Sequence, residues 1–110
     1  MPEFDRQWKR MGLNDSDLHE LQEVLLKNPK AGKAIQGTNG LRKIRIAFEG
    51  QGKSGGGRVV YVDFAVHETI YLITAYPKNE KDNLSKAERN AIAKIIVKLE
   101  QGLKEQRKQK

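Results

Sequence analysis

Four cations, Lys43, Arg45, Lys53 and Arg58, are followed after an apolar stretch by a second group, Tyr76, Lys78, Asn79 and Lys81. Side chains of these types suit a phosphodiester. A guanidinium presents a planar fork of donors to phosphate oxygens, ammonium groups offset their charge, and a tyrosine orients a ribose or stacks on a base. A lysine can also act as acid or base, provided that neighbouring positive charges lower its pKa from a reference of about 10.4. The charge map points the same way. Positions 27 to 60 hold eight Lys and Arg residues and one acid, Glu49, and so carry the whole formal net charge of +7. The 13 bases and 13 acids elsewhere cancel. A surplus confined to one segment gives a charged face that attracts polyanions.

Composition removes several other chemistries. The chain has no cysteine, so it holds neither disulfides nor thiolate metal sites, and its two histidines, His19 and His67, lie far apart in sequence. A metal site is not expected. Apolar residues make up 37% and charged residues 32% of 110 positions, and the apolar ones fall in patterned runs, which fits one folded domain over residues 1–110. No run approaches the roughly 18 apolar residues of a membrane span, and the N-terminus lacks the apolar stretch of a signal peptide. A cytoplasmic protein without membrane association is expected. Gly52-Lys53-Ser54 has the ending of a phosphate-binding P-loop, but the pattern needs glycine at position 47, which is Ala47. The stretch also joins two strand-like runs, whereas a P-loop opens a helix.

The elements that must hold the cations can be read from periodicity. Phe4, Trp8 and Met11 recur at helical spacing before Gly12, which is placed to end a short helix. Asn14 or Asp15 can cap a second helix whose stripe is Leu18, Leu21 and Leu25, with Val24 at its margin, and which stops at Asn28-Pro29. Residues 33–36 suit a short edge strand. In residues 41–48 Ile44, Ile46 and Phe48 point one way while Lys43, Arg45 and Ala47 point the other, giving one apolar and one cationic face. Five glycines lie between residues 50 and 57, then residues 58–66 and 70–76 form two further strands, the last ending at Pro77. Ser85-Lys86-Ala87-Glu88 has the form of a capping box opening a long helix. Its stripe of Ala91, Ile92, Ile95, Ile96, Leu99 and Leu103 is expected to cover the apolar sheet face, with 103–110 a basic frayed end or tail.

These blocks in this order resemble the RelE/ParE superfamily of bacterial toxins. The matching residues are Gly40-Leu41-Arg42-Lys43-Ile44-Arg45, then Gly52-Lys53-Ser54-Gly55-Gly56-Gly57-Arg58-Val59-Val60-Tyr61, then Tyr71-Leu72-Ile73-Thr74-Ala75-Tyr76-Pro77-Lys78-Asn79-Glu80-Lys81. Within the superfamily the sequence looks nearest to the HigB branch, over roughly residues 16 to 100. The resemblance implies an α+β fold: two N-terminal helices, a small twisted, mainly antiparallel sheet of three to four strands, and a C-terminal helix packed on it. It also implies a type II toxin that cuts messenger RNA in the ribosomal A site without metal or cofactor, held inactive by a cognate antitoxin, in this branch often a helix-turn-helix protein of the HigA kind.

The same resemblance assigns roles. Lys53, Arg58, Tyr76 and Lys78 match the family's catalytic cluster, and Arg42, Lys43, Arg45, Asn79 and Lys81 would contact RNA. Cleavage by the ribose 2′-hydroxyl needs a base, cations for the charge building on phosphate, and an acid for the leaving 5′-oxygen. Lys53 or Lys78 would be the base, Arg58 would stabilise the phosphorane, and Tyr76 would orient or stack the nucleotide. The competing reading keeps the fold but gives a non-nucleolytic toxin of the ParE type acting on DNA gyrase. Such relatives generally lack the cationic cluster found here.

Overall fold

An apolar residue every three or four positions needs a surface to lie on, and helix α1 (Pro2–Arg10) buries Phe4 and Trp8 to meet that need. Nine residues are too few to hold a helix in water alone, so burial of these two rings, each contributing about 1.5–3 kcal/mol, keeps it in place. The rings stack with centroids 5.1 Å apart, and the Trp8 indole N–H donates to the Asn14 carbonyl at 3.1 Å. Gly12, at φ +80°, ends α1 in the left-handed region where a side chain would be strained. Helix α2 (Asp15–Lys27) then starts from Asn14. Its side chain accepts from Asp17 N at 2.9 Å, while Asp17 accepts from Asn14 N at 3.0 Å, so Asn14 rather than Asp15 is the cap. Leu21 and Leu25 are buried, whereas Val24 is 48% exposed and lies outside the stripe.

The computed structural model describes residues 2–38, 40–46, 56–78, 80 and 83–108. Strands β1 (Lys33–Ala34), β2 (Leu41–Ile46), β3 (Gly57–Phe64) and β4 (Thr69–Pro77) form one antiparallel sheet in the order β1-β2-β3-β4. A 3-10 turn over Ala65–His67 joins β3 to β4, and helix α3 (Lys86–Lys108) follows. The strand over 58–66 expected from sequence therefore stops at Phe64.

Strand β3 decides the layering. Val59, Val60, Tyr61 and Val62 are consecutive and all at most 1% exposed, so both faces of this strand need cover. Helices α1 and α2 cover Val59, Tyr61 and Ala75, with Ile44 and Ile46 packed alongside. Helix α3 covers the other face through Ile92 and Ile96 against Val60, Val62 and Ile73. This corrects the expectation that one face is core and the other an outer cationic surface. Lys43 and Arg45 share their face with buried Leu41, and α3 lies on that face, not on the one bearing Ile44 and Ile46.

Pairing between β3 and β4 shifts register at Val60/Tyr61: Val60 opposes Thr74 but Tyr61 opposes Leu72, leaving Ile73 extra on β4. Such a bulge reverses the alternation of the strand beyond it. Tyr71 and Tyr76, five positions apart, consequently contribute to the same α3-side cluster.

Ser85 caps α3 as the sequence indicates. Its hydroxyl accepts from Glu88 N at 3.1 Å, and Glu88 accepts from Ser85 N at 2.9 Å. The helix passes through Gly102, which costs about 1 kcal/mol relative to alanine, and Leu103 is partly buried against the α3-side cluster. The described part of the 103–110 segment, residues 103–108, continues α3. Ile95 is 37% exposed, on the outer side of α3. No helix among the described residues is long and apolar enough to cross a membrane.

Candidate functional site

Strand register places the chemistry-bearing residues in two rows on the α3 side of the sheet. In one row Arg45 opposes Arg58, which opposes Tyr76. In the neighbouring row Lys33 opposes Lys43, which opposes Val60. Directly opposed residues have Cβ atoms about 4.5–5.5 Å apart, and two positions along a strand add about 7 Å, so all four cations fall within one small area. Lys33, Lys43, Arg45 and Arg58, with Ala31 and Ile44, line an open cleft of about 450 Å³. No acid is among the described lining residues.

Arg58 is the interior member, only 3% exposed. One guanidinium nitrogen donates to the Gly57 carbonyl at 3.1 Å, which fixes the fork against the backbone. Arg45 across from it is exposed. Tyr76 is buried at 3% with its ring among the apolar residues under α3. A ring so enclosed has no open face for stacking on a base. Lys78 follows Pro77, and its backbone N–H donates to the Gly56 carbonyl at 3.0 Å, so it sits beside the start of β3, two positions beyond Tyr76.

Three contacts tie the surrounding segments together. The Lys43 ammonium donates to the Asn83 side-chain oxygen at 2.7 Å, tying β2 to the segment that leads into α3. Arg10 forms a two-pronged ion pair with Glu80 at 2.8 and 2.9 Å, linking the end of α1 to the chain just after β4. The hydrogen bonds to Glu80 push the Arg10 pKa further above its ordinary value. On the other side the Tyr61 hydroxyl donates to the Pro29 carbonyl at 2.7 Å and accepts from Gly32 N at 2.9 Å. Gly32 is needed there: a Cβ would stand 2.8–2.9 Å from the Tyr61 ring and hydroxyl and from the Lys43 carbonyl.

The sequence-marked residues do not all meet. Arg45, Arg58 and Tyr76 share one row, and Lys43 and Lys78 flank it. Arg42 stands on the α1/α2 side opposite Tyr61, and donates to the Gly32 carbonyl at 2.7 Å, a bond that supports the 30–34 segment. Lys53, Asn79 and Lys81 lie outside the described residues. Nothing in the sequence sets Lys33 apart from the other lysines. Its only signal was membership of a short edge strand, and the antiparallel register is what brings it to Lys43. Among the described residues no three His, Cys, Asp or Glu side chains gather as a metal site.

Residues 2–109 match the family model described as the RelE toxin of the RelE/RelB toxin-antitoxin system. The chain belongs to the RelE toxin family. A match over nearly the whole chain agrees with the order of elements found here, two helices, a four-stranded antiparallel sheet and a C-terminal helix. Membership in a family of toxin-antitoxin toxins implies a cognate antitoxin partner for this RelE-family chain.

Proposed function

We propose that this RelE-family toxin is an endoribonuclease, of the HigB type, that cuts messenger RNA on the ribosome and so stops translation. The observation that carries the reading is the opposition of like charges, Lys33 against Lys43 and Arg45 against Arg58, around a cleft with no acid among its described lining residues. Like charges directly opposed across strands are destabilising. An arrangement that keeps two such pairs together, one member buried, is suited to hold an anion between them.

On this reading the scissile phosphate lies over the Arg45-Arg58 pair. The ribose 2′-oxygen attacks phosphorus, a new P–O bond forms as the bond to the 5′-oxygen breaks, and a cyclic phosphate is left. A base takes the 2′-hydroxyl proton and an acid supplies one to the 5′-oxygen. Lys78 and Lys53 are the two candidates for the base. Arg58 supports the charge building on phosphate, a contribution of about 2.7–4 kcal/mol for one well-aimed donor. Tyr76 holds the β4 side of the site. The partners are the ribosome, its message, and a cognate antitoxin of the helix-turn-helix HigA kind.

The test is incubation of purified protein with naked RNA and with translating ribosomes, followed by mapping of RNA ends. New 5′ ends confined to ribosome-bound messages support the reading. Intact messages accompanied by broken DNA in arrested cells would instead support a toxin of the ParE type.

A further inference from the structure

The four cations of the cleft do not surround a single point. Arg58 is enclosed, and Val60, beyond Lys43 in its row, is fully buried beneath α3. The row containing Lys43 is thus closed on its β3 side and open towards β1. There the edge strand supplies Lys33, directly opposite Lys43, and the cleft continues over Ala31. An extended polyanion with one phosphate at Arg58 has a cationic way out in that direction, over β2 and across the edge of the sheet.

The edge is also held firmly for a strand of two residues. Tyr61 bonds the backbone at Pro29 and Gly32, Arg42 bonds the Gly32 carbonyl, and Gly32 permits the close approach to β2. A buried tyrosine hydroxyl and a guanidinium are both used to fix the segment carrying Ala31 and Lys33. Rigid placement matters for a binding wall more than for a solvent-facing turn, because less ordering remains to be done when the ligand arrives.

We infer that Lys33 and Lys43 form a phosphate subsite for single-stranded RNA, one step removed from the reacting phosphate at Arg58, so that the bound strand crosses the β1 edge. The inference rests on the RNA-cleaving reading and adds to it the direction of the strand and a residue outside the family-matched cluster. Lys33 binds the backbone and touches no reacting atom. Its loss therefore weakens binding and lowers its salt dependence.

The experiment compares Lys33→Ala with Lys30→Ala, which removes the same charge from an exposed position outside the cleft lining. The probe for binding is a single-stranded RNA oligonucleotide carrying 2′-O-methyl groups, titrated at several salt concentrations. Cleavage on translating ribosomes is measured in parallel. Lys33→Ala is expected to weaken oligonucleotide binding about 5- to 10-fold relative to Lys30→Ala, to reduce the log-log salt slope by about 0.7, and to raise the ribosome concentration needed for half-maximal cleavage more than Lys30→Ala does. Equal affinity and slope for the two variants, with wild-type protein binding and cutting RNA, overturn the subsite alone. Wild-type protein that neither binds the oligonucleotide nor cuts message overturns the RNA-cleaving reading and the subsite with it.

Discussion

Arg58 and Tyr76 stand directly opposite each other on β3 and β4, and they do so because Ile73 is an extra residue in β4. Without that bulge the alternation from Tyr71 would carry Tyr76 to the α1/α2 side, away from the cations. With it, a buried tyrosine and a buried arginine lie side by side at the end of the sheet, and Arg45 completes the row. Bulges commonly re-aim a side chain beside an active site, and here the effect is to join two blocks of sequence into one surface.

Arg58 is the residue on which the proposed chemistry depends most. Arg58→Ala is expected to lower message cleavage by about 100- to 1,000-fold, the usual effect of removing one donor aimed at developing charge. Arg58→Lys should restore only a small part, because a single ammonium cannot reproduce the fork. Circular dichroism melting of both variants separates loss of function from loss of fold. A folded Arg58→Ala protein that cuts at the wild-type rate would remove Arg58 from the mechanism.

Tyr76 separates orientation from packing. Tyr76→Phe keeps the buried ring under α3 and deletes only the hydroxyl, so the fold should be retained with a loss of about 0.5–1.5 kcal/mol. Cleavage at saturating ribosomes should fall by about 10-fold, the rate equivalent of one hydrogen bond worth about 1.4 kcal/mol. If cleavage is undiminished, the ring serves packing alone and the tyrosine has no part in the reaction.

Much of the frame is legible in the sequence because its signals are local. Phe4, Trp8 and Met11 define α1 by spacing, and Asn14 and Ser85 announce the two capped helices by hydrogen bonds that reach no further than three residues. The faces were harder. Ile44 and Ile46 alternate with Lys43 and Arg45, which suggests a solvated outer side, but the consecutive apolar residues of β3 require cover on both. Neither the bulge at Ile73 nor the pairing of Lys33 with Lys43 is visible in one strand alone, since each depends on register with a partner. The cation cluster was therefore readable as composition and ordered motifs, while its division into rows was not.

The wall formed by residues 29 to 34 should respond to two substitutions in different ways. Tyr61→Phe leaves the Pro29 carbonyl and the Gly32 N–H without their partner, and is expected to lower stability by about 1–3 kcal/mol. Gly32→Ala forces a Cβ against Tyr61 and the Lys43 carbonyl and should cost about 1–3 kcal/mol through overpacking. Because Lys43 is the backbone being displaced, Gly32→Ala should also weaken RNA binding. Chemical denaturation gives the first quantity and oligonucleotide titration the second. A Gly32→Ala protein of wild-type stability would show that the close approach is not a constraint.

Arg45 offers the sharpest contrast between stability and function. It is exposed, yet it stands directly across from buried Arg58. Replacing a like charge by an opposite one in such a cross-strand pair should favour the fold by about 0.2–1 kcal/mol, a rise of a few degrees in Tm for a domain of this size. The same change places a carboxylate where the proposal puts the phosphate. Arg45→Glu is accordingly expected to melt higher than wild type while cleaving message at least 10-fold more slowly, the pattern of a site that holds repulsion for the sake of its ligand. Melting curves and end-mapped cleavage on the same preparation decide it. A variant that is both less stable and fully active would mean that Arg45 and Arg58 do not repel one another and do not share an anion.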